Sequence, residues 1–137
     1  MSNLLDDVVS FLASVSLVDD VGGWSGFKGY LPTAPDKAIV IYETGGATPS
    51  VPKTGDSLPE MDQVTFQVRG RGDPRGMEAL RGRMGSIYRA LHGGDLGSDF
   101  VLARAIQSGP LSLGLDGNDR PGLTWNFEAF RRRDADT

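Results

Sequence analysis

Gln63-Val64-Thr65-Phe66-Gln67-Val68-Arg69-Gly70-Arg71-Gly72-Asp73-Pro74, together with residues 75–91 that follow it, decides the fold. Val64, Phe66 and Val68 alternate with Thr65, Gln67 and Arg69, the period-two pattern of a strand with one buried face. The stretch from Gly70 to Pro74 then reads as a turn, because proline lacks the ladder donor and glycine gives up packing. Beyond it Met77, Leu80, Met84, Ile87, Tyr88 and Leu91 fall on one face of an α-helix. A half-buried strand feeding an amphipathic helix needs further strands beside it to close a core, and the flanking sequence offers them.

Toward the N-terminus, Asn3 reads as an N-cap, and Leu4, Leu5, Val8, Val9, Leu12 and Val15 form an apolar stripe, predicting a helix over about 3–16. Trp24, Phe27 and Tyr30 read as aromatics packed under a loop, and Pro32 and Pro35 mark a connection. Residues 38–43 (Ala-Ile-Val-Ile-Tyr-Glu) are nearly all apolar and predict a central strand covered on both faces. Residues 44–62 follow, with Gly45, Gly46, Pro49, Pro52, Gly55 and Pro59. A connection this long inside a small domain is usually functional or disordered, and it reads as an extended arm that orders on a partner.

Toward the C-terminus, Gly82 and Gly85 each cost the predicted helix about 1 kcal/mol relative to alanine, which tertiary packing has to offset. His92-Gly93-Gly94 ends that helix. Residues 101–107 predict a third strand, Gly109-Pro110 breaks it, and residues 114–122 form a turn cluster. Leu123, Trp125, Phe127 and Ala129 give a fourth strand with a clean buried face, and Arg131, Arg132 and Arg133 begin a solvated end. The expectation is an α+β fold of order α-β-β-α-β-β: a four-stranded, mostly antiparallel sheet with two helices on one face. Residues 1–133 read as one domain and 134–137 as a tail.

The 137 residues, 39% hydrophobic, suit one domain with a core, and the absence of cysteine excludes disulfides, thiolate metal sites and thiol catalysis. No stretch approaches the ~20 apolar residues of a membrane span, and Asp6 and Asp7 stand where a signal peptide would carry cations. The expected setting is a soluble protein made in the cytosol. The net charge of −4 is unevenly spread. Residues 1–60 carry Lys28, Lys37 and Lys53 against eight acids, whereas residues 63–92 carry Arg69, Arg71, Arg75, Arg81, Arg83 and Arg89 against Asp73 and Glu78. Such a division fits either ordinary surface scatter or complementary patches that meet between copies, head to tail.

No constellation for catalysis is present. His92, the one histidine, sits at a predicted helix end beside two glycines and reads as a capping or surface residue. Asp116, Asn118 and Asp119 open like a calcium loop, but no glutamate follows at its twelfth position. Gly45-Gly46 with Lys53-Thr54 suggests a phosphate loop and fails as one, because Pro52 stands where that loop needs glycine. Neither cofactor nor metal is expected.

Several segments together resemble a family of small tailed-phage minor capsid or tail completion proteins, similar to the tail terminators of siphophages. They are Tyr30-Leu31-Pro32, Pro35-Asp36, the run from Ala38 to Gly46, and the run from Gln63 to Gly70. Ile87-Tyr88-Arg89-Ala90-Leu91, Gln107-Ser108-Gly109-Pro110, Gly114-Leu115-Asp116 and Trp125-Asn126-Phe127-Glu128 continue the pattern in order. The resemblance implies a structural virion protein without catalysis, forming a hexameric ring at the head-proximal end of the tail. That ring would cap the tail tube, end its polymerisation and dock the head-tail connector or stopper protein, with DNA only passing through. The same resemblance leaves open a head-completion or connector role on the head side of the junction.

In that setting Arg69, Arg71, Arg75, Arg81 and Arg83 would meet acids of a neighbouring subunit or tube protein. The stretch with Gly45, Gly46, Pro49, Pro52 and Lys53 would touch the tube or the connector. A nucleic-acid-binding module is the first rival, opposed by the acidic balance and the lack of aromatics among the arginines. An enzyme is the second, opposed by the missing acid-base and nucleophilic groups.

Overall fold

The computed structural model describes residues 4–18, 23–46, 61–96 and 100–132. Helix α1 (Leu4–Ser14) leads into β1 (Ser25–Lys28), β2 (Ala38–Gly46), β3 (Met61–Arg71), α2 (Met77–Leu91), β4 (Phe100–Ala105), β5 (Leu111–Leu115) and β6 (Pro121–Arg132). The strands form one sheet of order β1-β2-β3-β6-β4, with β5 also paired to β6. β1 runs parallel to β2 and every other pairing is antiparallel.

Both helices pack on one face, as expected for an α+β fold, but the strand count of four gives way to six. Two of the differences have clear causes. Ser25–Lys28 is too short to show a period, and it is recruited as an edge strand through the register Gly26↔Ile39 and Phe27↔Val40 rather than packing as a loop. On the other side β3 occupies one edge of β6 along its whole length, so β4 and β5 share the opposite edge end to end. The break at residues 106–110 makes two strands out of one interrupted partner of β6.

The predicted turn at Gly70 begins two residues later than expected, because Gly70 and Arg71 continue β3, paired with Leu123 and Gly122. Gly70 is there for packing. A Cβ at that position would lie 2.8 Å from both Leu80 Cδ1 and Met84 Sδ, so the bare backbone lets α2 seat closely on the sheet. Likewise β2 runs on through Gly45 and Gly46, taking up the start of the expected arm. Arg131 and Arg132 continue β6, so the strand runs further than the sequence pattern suggests. Residues 47–60 and 133–137 lie outside the described residues.

The helix-facing side of the sheet is apolar. Ile39 and Ile41, Phe66 and Val68, and Leu123, Trp125, Phe127 and Ala129 are buried against Val8 and Leu12 of α1 and Leu80, Met84, Ile87 and Leu91 of α2. Phe66 stacks on its cross-strand partner Phe127 with centroids 5.4 Å apart, and Tyr88 stacks on Trp125 at 4.6 Å. The Trp125 indole N–H finds its acceptor in the Gln107 carbonyl at 2.9 Å, inside the break between β4 and β5.

Candidate assembly interface

Because side chains alternate along a strand, the residues between these core positions project from the opposite face. No helix covers that side among the described residues. It carries Thr44, Gln67, Thr65, Asn126, Glu128 and their neighbours in a polar ladder. The Thr44 hydroxyl donates to the Thr65 hydroxyl at 2.8 Å, and the Gln67 amide donates to Asn126 Oδ1 at 3.1 Å. Gln63 and Arg104 both donate to the Glu128 carboxylate, which is buried. The ladder runs out into apolar side chains at the β4–β5 edge, where Leu102, Ile106, Leu111, Leu113 and Leu115 are exposed. Every residue of β5 is exposed and, among the described residues, β5 pairs only with β6, so this edge of the sheet offers leucines at alternate positions.

The five arginines expected at an interface fall into different surroundings. Arg83, on α2, donates through Nη1 to the Ser16 and Leu17 carbonyls at 3.3 and 3.4 Å and stands over the Trp24 ring. It thus satisfies carbonyls left open beyond the end of α1 and ties the two helical elements together. Arg71 is buried and donates to the Pro35 and Asp36 carbonyls, the latter at 3.0 Å. Burial, and then the neighbouring Arg120 guanidinium, hold its pKa below the ordinary arginine value. Arg75 and Arg81 are exposed, one in the β3–α2 turn and one on α2. Arg69 is half-buried on the open face, over the Tyr42 ring, and donates to Gln67 Oε1 at 3.1 Å. The structure therefore does not gather the five into one patch.

Gly45 adopts φ +97° at the irregularity between Glu43 and Gly45, a conformation that favours glycine, and Gly46 pairs with Val64 at the end of β2. Pro49, Pro52 and Lys53 lie outside the described residues. His92 is exposed at the end of α2, where its Nδ1 accepts from the Ala105 amide at 3.0 Å and its ring stacks on Tyr88. The Asp116 carboxylate is taken up by its own turn. It accepts from the Asn118 and Arg120 amides at 2.9 and 3.0 Å and from Arg120 Nε at 2.8 Å, and these bonds, the Arg120 amide first, lower its pKa.

Arg120 was not singled out by sequence, yet it is buried and held from several sides. Besides Asp116 it binds the Thr33 carbonyl and Asp36 Oδ1 (3.2 Å). Arg71 and Arg120 together pin residues 33–36 to the open face. The exposed leucines were also passed over, although Leu111, Leu113 and Leu115 alternate with Ser112 and Gly114 and carry a strand signal of their own.

A search among curated proteins finds no match. Among solved structures the chain is similar to a chain from the virion of a native gene transfer agent particle. The identity is 16% and the TM-score 0.64, with 94% of each chain covered, which shows a shared fold. In sequence, residues 11–130 match the family of bacteriophage tail terminator proteins. With α2 and all six strands inside that match, save the last two residues of β6, the chain belongs to the bacteriophage tail terminator family.

Proposed function

We propose that this structural protein of a phage or phage-like virion acts as the tail terminator itself. It forms a homohexameric ring at the head-proximal end of the tail, caps the tube, ends its polymerisation and presents a docking surface to the head-tail connector. The family match over residues 11–130 carries this reading, and its description favours the tail side over the head side of the junction. The open sheet face with its exposed leucine edge supports it, since a small monomer rarely exposes a run of large apolar side chains without a partner. Ring closure is heterologous: the leucine edge of one copy meets a different surface of the next.

In this arrangement Arg69, Arg75 and Arg81 meet acids of a neighbouring subunit or of the tube protein. Arg71 and Arg83 contribute indirectly, by fixing the 33–36 segment and the end of α1. The stretch containing Gly45, Gly46, Pro49, Pro52 and Lys53 reaches the tube or the connector. DNA passes through without being gripped, in keeping with the net charge of −4. The role is structural, with no reaction assigned.

Electron microscopy of tail-tube subunits polymerising with and without the purified protein tests the reading. The expected result is shorter tubes carrying a ring at one end. Tubes of unchanged length and bare ends, with the protein bound to heads instead, would transfer it to the head side.

A further inference from the structure

Outside the β4–β5 edge, the described residues expose only two large apolar side chains, Val15 at 45% and Tyr30 at 69%. If the leucine edge of one copy meets a different apolar surface of the next, one of these two supplies it. Tyr30 is the better fitted. It stands two residues beyond β1, which lies at the other edge of the sheet from β4 and β5. Its base is fixed on both sides. The Gly29 amide donates to the Ile41 carbonyl at 2.8 Å, and residues 33–36 are pinned by Arg71 and Arg120. An aromatic held on a rigid base loses little freedom on docking, and tyrosine dominates interfaces where valine is under-represented.

A site of matching chemistry lies on the open face beside β5. There a slot of about 180 Å³ is lined by Leu31, Arg69, Arg71, Leu113, Leu115 and Arg120, among others. The leucines suit the body of an aromatic ring. Three of the charged residues lining it are arginines and one is Asp116, which is already bonded to Arg120. That surplus of positive charge disfavours a lysine or arginine as the occupant and favours an electron-rich ring with a phenol oxygen. Tyr30 does not line the slot of its own chain, and a head-to-tail contact brings it to the slot of another.

We propose that Tyr30 of one copy docks in the slot of the next, its ring packed against Leu31, Leu113 and Leu115. The inference rests on the ring proposed above and names two surfaces that meet in it.

Leucine methyl resonances of the Tyr30→Ser chain, titrated with 4-methylphenol, test the slot in a chain that lacks the proposed occupant. The exposure of Tyr30 leaves the fold of this variant intact. The Leu31, Leu113 and Leu115 signals are expected to shift together and saturate, with a midpoint on the order of 10 mM for so few ligand atoms. Adding Leu115→Ser should raise that midpoint about tenfold. Shifts that do not saturate, or a midpoint that Leu115→Ser leaves unchanged, overturn the slot.

Light scattering then tests the occupant. Tyr30→Ser should raise the concentration at half-assembly by at least about thirtyfold, and Tyr30→Phe should keep it within about threefold. A Tyr30→Ser chain that assembles like the parent overturns the contact. A parent that forms no ring, alone or on tubes, removes the occupant together with the proposed function. A ring present beside a slot that takes up no phenol removes this inference alone.

Discussion

The two faces of this sheet are built by the same strands in the same register and differ in almost everything else. On one, Phe66, Val68, Trp125 and Phe127 sit in an unbroken apolar layer beneath both helices. On the other, the residues between them, Thr65, Gln67, Arg69, Asn126 and Glu128, are polar and make hydrogen bonds to one another and to their neighbours. Burying the first face supplies the hydrophobic free energy of folding. The second buries Ala38 and Val40 but is otherwise largely polar, with an exposed leucine edge, and is the side we propose for assembly. In that proposal stability and assembly can be altered separately, one face at a time.

The largest effect belongs to the covered face. Phe127→Ala removes a fully buried ring stacked on Phe66 and should cost about 3–5 kcal/mol in urea or thermal unfolding. Next comes Gly70→Val. Its added atoms would collide with Leu80 and Met84, and a cost of about 1–3 kcal/mol is expected in the same assay. Gly82→Ala works in the other direction. Its Cβ would meet nothing within 4 Å, so α2 should gain up to about 1 kcal/mol, read as a higher Tm. If Gly82→Ala instead weakens assembly while raising Tm, a neighbour approaches α2 there.

The Asp116 turn gives a smaller effect, visible as a pH slope. Its folded pKa is depressed, so its contribution is present above the ordinary carboxylate value and lost as pH falls through the depressed one. Replacing it, Asp116→Asn, should flatten the acid limb of the stability-pH profile and leave the neutral region with a lower but pH-independent value. An acid limb unchanged in slope would remove this turn from the account.

The covered face was the legible one. Helix α2 and the alternation in β3 and β6 follow directly from apolar spacing, because burial on one side writes a period into the sequence. The open face wrote no such period. β1 is four residues held in place by pairing with β2, which is a tertiary effect. β5 did alternate, but Gly109, Pro110 and Gly114 around it carry the usual marks of a turn. Arg71 looked like a turn residue free to reach a partner, since nothing in its neighbours announces that residues 33–36 fold back onto it. Arg120 sat unnoticed in a glycine- and aspartate-rich turn for the same reason. Residues that bind distant backbone carbonyls leave no local pattern.

The central claim is that the open face and its leucine edge close a ring while the covered face holds the fold. Light scattering of the chain and of its Leu111→Ser, Leu113→Ser, Leu115→Ser triple variant, across concentration and with tail tubes present, tests it most directly. The account predicts a discrete hexamer for the parent chain, alone at high concentration or on tubes. It predicts a folded monomer for the variant, whose unfolding free energy changes little because all three side chains are exposed. A variant that assembles as readily as the parent, or a parent that stays monomeric even on tubes, would contradict it.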